Sequence, residues 1–148
     1  MNGQLPALHP SRDGLRELIK LINQIRGNVP ARTTSVIDTG VVSLLSTSVT
    51  EIVPANSSGW VTTAVHLFPV TITGVQSTAP IVRLGSNATH DNVAPLFNLG
   101  TALVVDTQVV LTLATTTLQS NPVSFEVQTA GTGPTVLTAD VFILGYFA

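Results

Sequence analysis

The chain has 148 residues, a length that suits one domain with a sizeable core. It holds no cysteine, which excludes disulfides and thiolate metal sites, and no apolar run near the roughly 20 residues that span a bilayer. Only 9% of residues are charged, against about 25% in ordinary domains. Five basic and two acidic residues give the first 32 residues +3, while Arg83 alone faces six acids in the remainder, which carries −5. Long charged side chains lose rotamer entropy when ordered, so a surface poor in them suits a protein that works in contact with others. A plain Thr- and Val-rich β habit explains the same bias equally well. The N-terminus lacks the basic patch and apolar run of a signal peptide, so the expectation is a soluble protein made inside a cell, with no membrane partner.

Residues 1–10 contain Pro6 and Pro10 and read as an extended arm. Ser11 or Asp13 can cap the helix that follows. Leu15, Leu18, Ile22 and Ile25 recur at spacings of three, four and three, an a/d seam that Ile19 and Leu21 widen. Gly27-Asn28 and Pro30 stop it. So short a helix is not stable alone in water. Its apolar face therefore docks on its own β-domain, on sister helices or on another protein, and its four seam residues are assigned to an oligomer interface. Arg12, Arg16, Lys20, Arg26 and Arg32 are the candidates for anchoring to a partner surface; the plainer reading is that they solvate the polar face. With no interleaved aromatics and no known module, nucleic acid is not an expected partner. The chain divides into 1–32, an arm with an amphipathic helix, and 33–148, a β-domain.

From Thr33 onward Thr and Val dominate, punctuated by Pro, Gly, Asn and Ser. The pattern predicts strands at 35–38, 41–45, 47–53, 60–67, 70–74, 80–84, 102–106, 108–113, 122–129 and 135–147. Val123, Phe125 and Val127 alternate cleanly with Ser124, Glu126 and Gln128. At Pro69 the apolar parity switches, which predicts a bulge, a bend or an edge position. Short strands without helices between them indicate a mainly β chain, an antiparallel β-sandwich or jelly roll with one short N-terminal helix. The closing segment is apolar on both faces, with Val141, Ile143 and Phe147 on one and Phe142, Leu144 and Tyr146 on the other. The second face needs a helix, a second sheet or a neighbouring subunit. Phe142, Leu144 and Tyr146 join the expected oligomer interface.

Chemistry is scarce. The loop 85–95 gathers Asn87, Thr89, His90, Asp91 and Asn92, a candidate binding loop. One carboxylate and no EF-hand spacing argue against calcium, and a polar turn held by Asx bonds is the simpler reading. His9, His66 and His90 are dispersed, so no zinc site is expected. There is no Gly-x-Ser-x-Gly elbow, no phosphate loop and no paired carboxylates, so neither an enzyme nor a cofactor is expected. Arg83 should pair with an acid, across strands or at an interface.

The stretch Asp140-Val141-Phe142-Ile143-Leu144-Gly145-Tyr146-Phe147 resembles the last strand of trimeric jelly rolls of the tumour-necrosis-factor and C1q type. That resemblance implies that Phe142, Leu144 and Tyr146 line a three-fold axis. Val70–Gly74 with Ala79–Asn87 is similar to β-domains of tailed-phage virion proteins, the head decoration (cement) proteins and fibre heads. The animal families carry a secretion signal and a collagen stalk that this sequence lacks, which favours the phage resemblance. It implies a homotrimer in the virion, made in host cytoplasm and bound to the major capsid protein or another virion protein. The expected function is capsid decoration. The alternative is a tail fibre or receptor-binding head that grips a host glycan or protein through loop 85–95. Only ten residues precede the helix, and Trp60 and Tyr146 are the only Trp and Tyr, which disfavours it. A non-viral lectin-like module is a third reading.

Overall fold

The computed structural model describes residues 12–25, with side chains through Ile22, and residues 34–148. Helix α1 runs Arg12–Ile25. Eight strands follow: β1 Ser35–Ser43, β2 Ser48–Val53, β3 Trp60–Thr73, β4 Ile81–Gly85, β5 Ala94–Asn98, β6 Val109–Val110, β7 Val123–Thr129 and β8 Val136–Phe147. They form two four-stranded sheets, ordered β1-β8-β3-β6 and β2-β7-β4-β5. Every neighbouring pair is antiparallel. First pairs with last, second with seventh, third with sixth and fourth with fifth. One long hairpin rolled up in this way is a jelly roll, and the expected fold class holds.

The core lies between the sheets, where Leu44, Trp60, Leu67, Leu84, Phe125 and Ile143 are almost fully buried. Trp60 meets Phe147 edge-on at 4.9 Å. Gly145 sits against them, and a Cβ there would fall on the Val61 carbonyl oxygen and the Trp60 ring.

Several strands differ from the sequence expectation. Segments 35–38 and 41–45 join in one strand, β1, whose register shifts between Asp38 and Val41. Gly40 takes φ +73°, and its N–H donates to Asp38 Oδ1 at 2.7 Å, which makes the bulge. Pro69 lies within β3, where the register shifts between Pro69 and Thr71. On that side β6 pairs only with His66 and Leu67, so the missing proline N–H breaks no ladder. Residues 102–106 form no strand, and 108–113 contributes only Val109–Val110. Strand β5 was not expected, because Pro95 and the polar loop before it disguise a short edge strand.

The second face of β8 is covered. Leu15, Phe68 and Phe142 form a separate buried cluster, flanked by Leu18, Ile19, Val36 and Leu144. Phe68 and Phe142 meet edge to face at 5.8 Å. Helix α1 thus lies across the outer face of β1-β8-β3-β6. Phe142, expected at an oligomer interface, is 0% exposed beneath the chain's own helix. Leu15 and Leu18 spend their apolar surface on the same contact. Tyr146 is half-buried, and the Ile25 side chain lies outside the described ones.

Candidate functional site

Two polar clusters stand on the outer faces of the sandwich, one under α1 and one beside the loop after β4. The first centres on Asp140. Its β8 parity places it with Phe142 and Leu144, and Phe68 of β3 lies opposite. It is wholly buried. Arg16 Nη2 donates to Asp140 Oδ2 at 2.8 Å, and Arg12 Nη1 lies 3.7 Å from the same oxygen. Arg12 Nε is 3.5 Å from Asp106 Oδ1. Asp140 Oδ1 has no hydrogen-bond partner among the described residues. Burial pushes the Asp140 carboxyl above its ordinary range and the nearby Asp38 charge adds to that, against the pull of the two arginines.

These contacts alter the reading of the basic residues. Arg12 and Arg16, assigned to capsid anchoring, are engaged by Asp140 and Asp106 of their own chain. Lys20 pairs with Glu17 at 2.7 Å on the helix surface. Arg26 and Arg32 lie outside the described residues. Alongside α1 runs an open groove of about 370 Å³, lined by Ile19, Ile22, Val36, Ile37 and Phe147 with Ser35 and Asp38.

The second cluster follows Gly85. Asn92 Oδ1 accepts from the Ser86 N–H at 2.8 Å, and Asn92 Nδ2 donates to Ser86 Oγ and Gln119 Oε1, both at 3.1 Å. A Cβ at Gly85 would strike Asn92 Oδ1 and the Asp91 backbone. Asp91 Oδ1 accepts from Asn87 Nδ2 and Thr89 Oγ1, each at 2.7 Å, and these bonds hold its carboxyl below the ordinary range. His90, at φ +49°, turns its Nδ1 toward Glu126 Oε2 at 3.0 Å. Glu126 also accepts two bonds from Arg83, which stands opposite it on β4. Arg83 is thus paired across strands, as its isolation in the β-domain led us to expect.

The structure therefore brings Asn87, Thr89, His90, Asp91 and Asn92 together, but their polar atoms bond chiefly to one another. The loop is a polar turn tied by its own side chains. Among the described residues no group of three or more His, Cys, Asp or Glu could hold a metal ion, and no helix is long and apolar enough to cross a membrane. His66 and His90 stand on different sheets: His66 pairs with Phe142 on one outer face, His90 with Glu126 on the other. Sequence reasoning missed Asp140 and Gln119 as network centres. For Asp140 a signal existed, a lone acid in register with the apolar face of the last strand.

No family model matches the chain, and no curated protein does either. A chain of the cyanophage Pam1 capsid asymmetric unit has a similar fold, with a TM-score of 0.53. The match covers 82% of this chain and 90% of that one at 14% identity. Identity that low makes it a likeness of fold.

Proposed function

We propose that this chain is a structural protein of a phage virion, a decoration (cement) protein that sits on the capsid as a homotrimer. The observation that supports this reading is the shared fold over most of both chains with a component of a cyanophage capsid. The chemistry agrees with it. Charged groups are few, and those on the sandwich faces are largely used in internal pairs. Stabilisation would come by mass action, because each contact made only on the shell favours the assembled state. Three copies acting together would multiply weak single contacts.

Since α1 covers Phe142, a trimer would draw on apolar residues that remain exposed, Val75, Val104, Val105 and Val110 among them. Arg26, Arg32 and the arm before α1 remain the anchoring candidates. The fibre-head alternative gains no support from the loop. Trp60 is fully buried and Tyr146 lies on the other sheet, so neither offers a sugar a stacking platform there.

The test is co-sedimentation. Shells assembled from the major capsid protein of the phage that carries this chain are mixed with the purified protein and spun through a sucrose cushion. Pelleting at a fixed stoichiometry, with shells that survive higher temperature, supports the reading. A protein that stays in the supernatant at every concentration overturns it. Light scattering should give three times 15.4 kDa; a monomer at micromolar concentration removes the trimer from the proposal.

A further inference from the structure

The contact between α1 and the sheet has an unusual composition. Its apolar part is small, with Leu15, Leu18 and Ile19 on Phe68, Phe142, Val36 and Leu144. Beneath the same helix lies Asp140, with no exposed surface and with one carboxylate oxygen unpartnered among the described residues. A buried oxygen without a donor carries its full desolvation cost, and lifting the helix would return it to water.

We propose that α1 is a detachable strap, which lifts from the β1-β8-β3-β6 sheet while the sandwich stays folded, at a frequency set by the Asp140 carboxylate beneath it. The groups around that carboxylate define the balance. From α1 come Arg12 and Arg16, with Asp13 4.0 Å from the Arg12 guanidinium. Asp38 on β1 repels it. Asp106, ahead of β6, draws Arg12 toward itself. On β3, Phe68 opposite is apolar, and His66 stands two residues along, facing Phe142. The Arg16 bond favours the closed strap, while desolvation and Asp38 favour the open one. The raised carboxyl of Asp140 says that the second pair prevails for the ionised form.

The sandwich does not depend on the strap in the same way. Its own core, around Trp60, Leu84, Phe125 and Ile143, lies between the sheets and excludes α1. Helix release is then a local opening rather than global unfolding. It bares Phe68, Phe142 and Asp140 beside Asp38 and Asp106, which are exposed already, so that the uncovered apolar face is edged with acids. The sign of the pH effect follows by linkage. An acid whose carboxyl is raised in the closed state binds protons better there, so falling pH closes the strap and rising pH loosens it.

The test is residue-resolved hydrogen exchange of the full chain at pH 7, for the wild type and Asp140→Asn. The wild type should exchange α1 amides at least about 100-fold faster, relative to unfolded rates, than amides of β7 and β8. Asp140→Asn should slow α1 exchange by about tenfold and leave the β7 rates unchanged. Protection of α1 equal to that of the strands overturns the strap. Unchanged or faster α1 exchange in Asp140→Asn overturns the role of the carboxylate. If that variant does not fold, the wild type decides: α1 protection must rise as pH falls from 7 toward the ordinary carboxylate range, and a fall overturns the proposal.

Discussion

Arg83 and Glu126 face each other across β4 and β7 and join by two parallel bonds, Nε to Oε2 at 2.8 Å and Nη2 to Oε1 at 3.0 Å. Both side chains are largely screened from water, at 18% and 15% exposure, and His90 adds a third contact to the same carboxylate. A two-pronged charged pair in partial burial fixes geometry better than an open surface pair does.

Glu126→Gln should therefore cost about 1.5–3 kcal/mol at neutral pH, as hydrogen bonds to charged groups do. The Arg83 bonds, and next the His90 contact, hold the Glu126 carboxyl below its ordinary range. Such a depressed acid stabilises the fold above its unfolded value and loses that contribution as pH falls through its folded one. Urea midpoints across the acid range should show the variant's deficit shrinking to nothing.

His66 gives a different limb. Burial lowers its imidazole below 6.5, and Nδ1 contacts Gln108 Nε2, which can only donate. The neutral ring is the one the fold accepts. The unfolded chain takes up the proton first, so the wild type should lose stability relative to His66→Gln as pH falls below about 6.5. A flat difference curve between the two proteins would refute this.

Gly145→Ala should destabilise by about 3 kcal/mol, because a methyl there overlaps the Val61 carbonyl and the Trp60 ring and forces both to move. Trp60 is the only tryptophan, so its fluorescence reports the melting midpoint directly. A midpoint within a degree of wild type would show that the strand yields without strain.

Asn92→Ala removes four bonds that close the loop after β4. Faster exchange at the Ser86 and Asn87 amides is expected, with a cost of about 1–2 kcal/mol confined to the loop. Loss of Trp60 fluorescence in step with the loop would instead make the turn part of the cooperative core.

A chain lacking residues 1–25 should keep the sandwich and bind a hydrophobic dye, since Phe68 and Phe142 lose their cover. An unfolded product would mean that α1 is required by the sheets.

The sequence carried the fold through alternation. Val123, Phe125 and Val127 read as a core face and are one. The parity switch at Pro69 read as a bulge, a bend or an edge position, and the register shift between Pro69 and Thr71 makes it the first of these. The two-faced last strand was legible too, but parity states only that a face is apolar, not which body covers it. That choice rests on Arg16 meeting Asp140 across 124 residues of chain, a pairing no local pattern encodes. In the same way Asn87, Thr89 and Asp91 were visible as a polar cluster. Their bonds to one another depend on the turn at Gly85 and on Gln119, which reaches in from another part of the chain.

The placement of β8 between β1 and β3 has a consequence for the order of events during synthesis. Neither of those strands has its main partner until the final dozen residues of the sandwich have left the ribosome. Contacts so distant along the chain form slowly, because loop closure must come before any pairing rewards it. During that interval the Thr- and Val-rich strands stand with open edges. The sparse charge that suits the finished surface gives them little mutual repulsion, so the nascent chain is most exposed to misassociation just before its last strand arrives.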